Sequence, residues 1–264
     1  PPPPPPTLMH PPPPRYTLEW NRRQRQMCIR DRYFGLIFDF NGVLWWDNAL
    51  QESSWRDWSS AVRGYPFSDT EMAEHVHGRN NRYTQQYLSK TPLTTEQAEQ
   101  LSEQKEIIYR RLCLDQGEQF RLSPGAESLL NFLVNGNIPH TIATASCKGN
   151  VDFFIEHLQL ERWFDLEKIV YDDGTLAGKP APDFYLAAAE RLSLPPGRCI
   201  VVEDSLSGIH AAHATGIGYI IALVGDNSNA LQETLPGVAL TIHDLSEFDR
   251  SLLRNPLAET RRSS

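Results

Sequence analysis

Apolar and polar positions along the chain change rhythm three times. Phe34 to Phe40 is a short, nearly continuous apolar run that ends at Asp39-Phe40-Asn41-Gly42. It predicts a buried parallel strand followed by a tight turn. From residue 48 to about 116 the rhythm is helical. Trp55, Trp58 and Val62 recur at helical spacing, Ser68 can cap a helix through Glu71 to Val76, and Thr94 or Thr95 can cap one running toward Leu112. No strand signal interrupts this stretch, which reads as a small all-helical insertion.

After Pro124-Gly125 strands and helices alternate. The pattern predicts helices over Ala126 to Val134, Asn150 to Leu158, Pro182 to Leu192 and Ser205 to Thr215. It predicts strands over Ile138 to Thr144, Lys168 to Tyr171, Arg198 to Glu203 and Tyr219 to Val224. Such alternation implies an α/β fold with a parallel, doubly wound sheet. The expected organisation is a core of residues 33–47 and 117–254 with a helical cap over 48–116. Residues 1–32 stand outside it. Pro1 to Pro6 and Pro11 to Pro14 are near-homopolymeric, and Arg22, Arg23, Arg25, Arg30 and Arg32 crowd the rest. The string from Met27 to Arg32, MCIRDR, also resembles translated adapter readthrough, so this stretch is read as a disordered or artefactual tail. A proline-rich docking tail is the functional alternative.

Composition narrows the partners. Of 264 residues, 40% are hydrophobic and 22% charged, ordinary values for a globular protein, and the net charge of -8 disfavours nucleic acid or an anionic membrane as a general partner. No apolar run reaches membrane-spanning length. Cys28, Cys113, Cys147 and Cys199 form no CxxC pair, which suits reduced thiols in a cytoplasmic protein. The expected partner is a small molecule, and the expected state is a monomer or weak dimer.

The chemistry follows from the strand ends, where open parallel sheets bind their ligands. Asp39 ends the first strand, Thr144-Ala145-Ser146 the second, and Glu203-Asp204 a later one; Gly178-Lys179-Pro180 lies in a loop before a helix. A carboxylate can act as nucleophile toward phosphorus. Asp39, Glu203 and Asp204 can supply oxygens to Mg²⁺. Lys179 offers a point charge, and the Thr144 hydroxyl with neighbouring backbone N–H groups can bind phosphate oxygens.

FDFNGVL (Phe38 to Leu44), TIATAS (Thr141 to Ser146), GKPAPDFY (Gly178 to Tyr185) and VVEDSLSGIHAA (Val201 to Ala212) together resemble the four ordered motifs of haloacid dehalogenase-like hydrolases. The resemblance covers roughly residues 33 to 225 and is strongest to the branch of β-phosphoglucomutase and sugar phosphatases. It implies a Rossmann-like core with an inserted helical cap and an aspartyl-phosphate on Asp39. It also implies Thr144 and Lys179 as phosphate ligands, Glu203 and Asp204 as metal ligands, and Mg²⁺ as cofactor. By the same resemblance the backbone carbonyl of Asn41 would join the metal shell. The segment around Gly78 corresponds to a specificity loop, which makes Arg79 and Arg82 candidates for a second anionic group on the substrate.

One departure matters. The family's first motif is usually Asp-x-Asp, and here Asn41 takes the second place. An amide has no proton to donate near neutral pH. The chain is then a slow hydrolase or one whose leaving group needs no acid, an enzyme with a proton donor elsewhere, or a ligand-binding protein of reduced activity; deamidation of Asn41-Gly42 is a further route. A metal-free dehalogenase fits poorly with Glu203-Asp204. A mutase fits poorly with Leu50-Gln51-Glu52, where that branch usually carries a His. His75 and His77 fall on different helical faces and suggest no metal site. Trp45, Trp46, Trp55 and Trp58 read as core or hinge packing, and one extra residue precedes Asp47 relative to the usual motif.

Overall fold

The computed structural model describes residues 33–76, 81–224 and 235–253. Strand β1 (Gly35–Phe38) is followed by helices α1 (Asn48–Arg63), α2 (Asp69–His75), α3 (Asn81–Ser89) and α4 (Thr95–Leu114). The second part runs α5 (Ala126–Asn135), β2 (His140–Cys147), α6 (Lys148–Leu158), β3 (Val170–Asp172), α7 (Asp183–Arg191), β4 (Cys199–Glu203), α8 (Leu206–Thr215), β5 (Tyr219–Leu223) and β6 (Val238–Ile242). The six strands lie in the order β3-β2-β1-β4-β5-β6, every pairing parallel. The chain leaves β1 for β2 and β3, then returns to the other side of β1 through β4. The order therefore reverses at β1, and an open α/β sheet offers its ligand crevice at such a point.

Both faces of the sheet are covered, which explains the unbroken apolar runs in its strands. Leu36 and Phe38 of β1, Ile200 and Val202 of β4, and Ile221 and Leu223 of β5 pack into one cluster with Leu129, Leu130 and Leu133 of α5 and Phe153 and Phe154 of α6. The intervening Ile37, Val201, Ile220 and Ala222 join Phe184, Ala188, Ile209 and Ala212 of α7 and α8 on the other face. The period of two sends neighbours to opposite sides.

Helices α1 to α4 have a smaller core of their own: Trp55, Trp58, Phe67, Met72, Val76 and Leu88. Capping boxes start two of them. Ser68 Oγ accepts from Glu71 N–H while Glu71 returns to the Ser68 N–H, and Thr94 and Gln97 do the same.

Some elements differ from the pattern. Val62 belongs to the helical repeat but is exposed, because α1 turns that position to solvent. The second strand begins at His140 and reaches Cys147, beyond the expected Thr144. Strand β6 is not among the strands expected from the pattern, although its five residues, VALTI, are mostly apolar; it lies half-buried at the sheet edge. Trp45 is buried in the main core, whereas Trp46 is partly exposed. Cys113 and Cys199 are buried free thiols and Cys147 a half-buried one, whereas Cys28 lies outside the described residues.

Candidate active site

The carboxyl ends of β1, β2 and β4 carry the expected residues to one rim. Asp39 follows β1 directly, and its backbone N–H donates to the Val202 carbonyl of β4 at 3.0 Å. Lys179, from the loop before α7, sits between two carboxylates: its Nζ lies 2.9 Å from Asp39 Oδ1 and 2.6 Å from Glu203 Oε1. Asp39, Glu203 and Asp204 each present an oxygen within 4.8 Å of the others.

Glycines make this crowding possible. Gly42 has φ +77°, in the left-handed region, and a Cβ there would stand 2.0 Å from Asp204 Oδ2. Gly208, in the first turn of α8, leaves room for the Glu203 carboxylate, which a Cβ would meet at 1.5 Å from Oε1.

Electrostatics follow from the count of charges. Burial raises the Asp39 carboxyl to about 7, against the lowering pull of Lys179. Asp204 is held well above the usual carboxylate range by burial and by the negative charge of Glu203 and Asp39. Glu203 is fully buried yet stays low, because Lys179 and the Ser205 donors offset its desolvation. Three carboxylates thus face one ammonium. An all-oxygen donor set with surplus negative charge suits a hard divalent cation, so the residues fit a metal centre.

The three carboxylates are not equivalent. Glu203 Oε2 accepts from Ser205 N–H at 2.8 Å and Ser205 Oγ at 3.1 Å; Oε1 accepts from Lys179 and from Tyr185 OH at 3.1 Å. These donors engage both of its oxygens, and the ion pair fixes Lys179 beside Asp39. Helix α8 is capped by Ser205, whose Oγ accepts from Gly208 N–H at 3.0 Å, not by the acidic pair.

Thr144 is buried, and its Oγ1 accepts from Ser146 N–H at 3.1 Å; Ala145 is exposed at the rim. Ser146 Oγ in turn donates to Asn41 Oδ1 at 2.7 Å. Arg82 is exposed in the first turn of α3, and Gly78, Arg79 and His77 lie outside the described residues. His75 stacks on Tyr87 at 3.8 Å between ring centres.

Sequence reasoning missed a buried polar network beside Asn41. Asp47, 1% exposed, precedes α1 and looks like a helix cap, yet makes no capping bond. It turns back to the loop after β1, accepting from Gly42 N–H at 3.2 Å, Asn41 Nδ2 at 2.7 Å, Gln51 Nε2 at 3.0 Å and Tyr109 OH at 2.6 Å. Gln51 Oε1 accepts from Lys105 Nζ at 2.8 Å, and Lys105 pairs with Glu106 at 3.1 Å. Glu106 accepts from Asn81 at 2.8 Å and from Asn150 of α6 at 2.7 Å. The helical insertion is thereby tied to that loop and to the core.

Comparison with known proteins agrees with this geometry. A family model described as haloacid dehalogenase-like hydrolase matches residues 35–216. Fructose-1-phosphate phosphatase YqaB of Escherichia coli (strain K12) is 28% identical over 188 residues, 71% of this chain and 95% of its own length. The chloroplastic 5-amino-6-(5-phospho-D-ribitylamino)uracil phosphatase of Arabidopsis thaliana is 29% identical over 196 residues, 73% of this chain; the chain spans about half, 49%, of that relative. Among solved structures, a HAD hydrolase, family IA, variant 3, from Entamoeba histolytica HM-1:IMSS superposes with a TM-score of 0.77 at 36% identity, covering 83% of this chain and 96% of its own.

Proposed function

We propose, since the chain belongs to the haloacid dehalogenase-like hydrolase family, that it is a phosphoric monoester hydrolase acting on a small organic phosphate of the sugar type through an aspartyl-phosphate on Asp39. The observation that carries this is Lys179 held between Asp39 and Glu203 beside Asp204. The relatives' names support the substrate class: fructose 1-phosphate in one case and a phosphorylated ribitylamino compound in another.

Asp39 would attack phosphorus. Lys179 would neutralise charge on the transferring group, and Thr144, Ala145 and Ser146 would hold its oxygens by hydroxyl and backbone N–H donors. Mg²⁺ is the proposed cofactor, with Asp39, Asp204 and the Asn41 carbonyl as its holders; when bound it would offset the repulsion between carboxylate and phosphate. Glu203 completes the acidic set by fixing Lys179. Residues 48–116 would act as a cap that opens for substrate and closes against water, with Gly78, Arg79 and Arg82 reading the rest of the substrate. No helix among the described residues is long and apolar enough to cross a membrane, and a cytoplasmic setting goes with the free thiols.

Asn41 favours a second reading, a protein that binds phosphorylated ligands and turns them over poorly. Hydrolysis of a panel of phosphate esters, with and without Mg²⁺, separates the two. The first reading expects Mg²⁺-dependent turnover that Asp39→Asn abolishes. Ligand binding with no turnover at all would leave only the second.

A further inference from the structure

Asn41 is held from three sides. Its Nδ2 donates to Asp47 Oδ2 at 2.7 Å and to Tyr109 OH at 3.3 Å, and its Oδ1 accepts from Ser146 Oγ at 2.7 Å. One end of the side chain must donate to a carboxylate while the other accepts from a hydroxyl. An amide satisfies both demands. A carboxylate at this half-buried position would meet the buried Asp47 carboxylate at hydrogen-bond distance, where their repulsion is only partly screened.

The neighbours do not replace the missing proton donor. Asp47 already accepts from Asn41, Gln51 and Tyr109 at Oδ2 and from Gly42 at Oδ1, so both of its oxygens are engaged as acceptors. Tyr109 is fully buried and gives its proton to Asp47. Ser146 gives its proton to Asn41. Lys179 is engaged by Asp39 and Glu203. Among the described residues around Asp39, the Tyr109 and Ser146 hydroxyl hydrogens and two of the three Lys179 ammonium hydrogens are committed to other protein groups.

We infer that this site takes phosphoryl groups carried on an already acidic oxygen, with acyl phosphates the simplest class, in preference to ordinary alkyl phosphate esters. The inference rests on the aspartyl-phosphate reading and narrows its substrate side. In the first step an Asp39 oxygen forms a bond to phosphorus and the bond from phosphorus to the leaving oxygen breaks. The leaving oxygen departs with the electron pair as an anion and takes any proton from solvent. In the second step water attacks phosphorus, the bond to Asp39 breaks, Asp39 returns as a carboxylate and the water proton goes to solvent. With no acid supplied by the described residues named above, the first step is paced by the acidity of the leaving group. With no base among them, the second is slow, and the phosphoenzyme accumulates.

The test uses the full chain with Mg²⁺ and a graded series: acetyl phosphate, 4-nitrophenyl phosphate, phenyl phosphate and ethyl phosphate. The expected kcat/KM falls steeply along the series. An initial burst of about one equivalent of 4-nitrophenol per enzyme precedes the steady state. The double variant N41D/D47N, which exchanges the two side chains and keeps one carboxylate in the pair, should raise ethyl phosphate turnover toward the ~10²–10⁴-fold typical of a general acid and flatten the series. If that variant fails to fold by circular dichroism, the wild-type series decides alone. A flat wild-type series, a lack of turnover with acetyl phosphate, or a missing burst would overturn the inference. Asp39→Asn keeps the two levels apart. If it stays active, the aspartyl-phosphate reading itself fails; if it is dead while the wild-type series is flat, only the preference for acidic leaving groups fails.

Discussion

Lys105→Met is expected to destabilise this protein by about 3–5 kcal/mol, because it strips the counter-charge from a buried carboxylate. The Lys105 and Glu106 side chains are 1% and 6% exposed and lie 3.1 Å apart. Lys105 also donates to Gln51 and lies over the rings of Trp55 at 5.1 Å and Tyr109 at 5.3 Å. Methionine keeps most of the stem and its contacts, so the loss is chiefly the ammonium. Asn81 and Asn150 would still donate to Glu106, but neutral donors offset only part of the cost of a buried charge. For a folded unit of this size each kcal/mol moves Tm by about 2–4 °C, so the drop should be roughly 6–20 °C. Urea unfolding followed by tryptophan fluorescence and by far-UV circular dichroism is the assay. Trp55 and Trp58 report on the insertion and Trp45 and Trp163 on the main core, so a single transition that coincides with the circular dichroism curve indicates that the two unfold together. Lys105→Met/Glu106→Gln removes both charges and should recover part of the loss, which gives the coupling by a double-mutant cycle. A Lys105→Met protein within about 1 kcal/mol of wild type would refute the claim that this pair holds the insertion on the core.

Two further outcomes are expected. Gly42→Ala should cost about 1–2 kcal/mol for the left-handed backbone alone. It should also remove the rise of Tm with added Mg²⁺ expected of the wild type, since the new methyl would displace Asp204; an unchanged Mg²⁺ response would count against Asp204 as a metal holder. Glu71 is held well below its ordinary range by hydrogen bonds from Arg63, then from Ser68 and Tyr87. A carboxylate with a depressed folded pKa contributes stability above its unfolded value of 4.5 and loses it as pH falls through the folded pKa. The Tm gap between wild type and Glu71→Gln should therefore be full near neutral pH and shrink on acidification below that value; a gap that is constant or widens in acid would contradict the pairing.

Much of the site was legible because its residues stand at the ends of apolar runs. Asp39, Thr144 and Glu203 each close such a run, and parallel strands converge at their carboxyl ends. The caps at Ser68 and Thr94 were equally readable, since a capping box is a local arrangement of four residues. Lys179 was readable from its motif, but its partners were not: Asp39 is 140 residues away in sequence and Glu203 is 24. Strand β6 went unread although Val238 to Ile242 form a mostly apolar run, and its place at the sheet edge came only from the fold.

The sequence by itself determined the alternation of strands and helices, the helical insertion, the order of the chemical groups along the rim and the absence of a titratable group at Asn41. These follow from period, caps and residue type, which are local properties. Only the tertiary structure decided what surrounds Asn41 and Glu203. Asp47 reads as the start of a helix, yet it faces the loop after β1 because Tyr109, 62 residues later, and Gln51 bring donors to it. Glu203 reads as a metal-ligand candidate beside Asp204, and folding also brings Ser205, Tyr185 and Lys179 to its oxygens. Burial, lone-pair occupancy and charge balance depend on atoms brought together by folding, and no spacing along one chain encodes them.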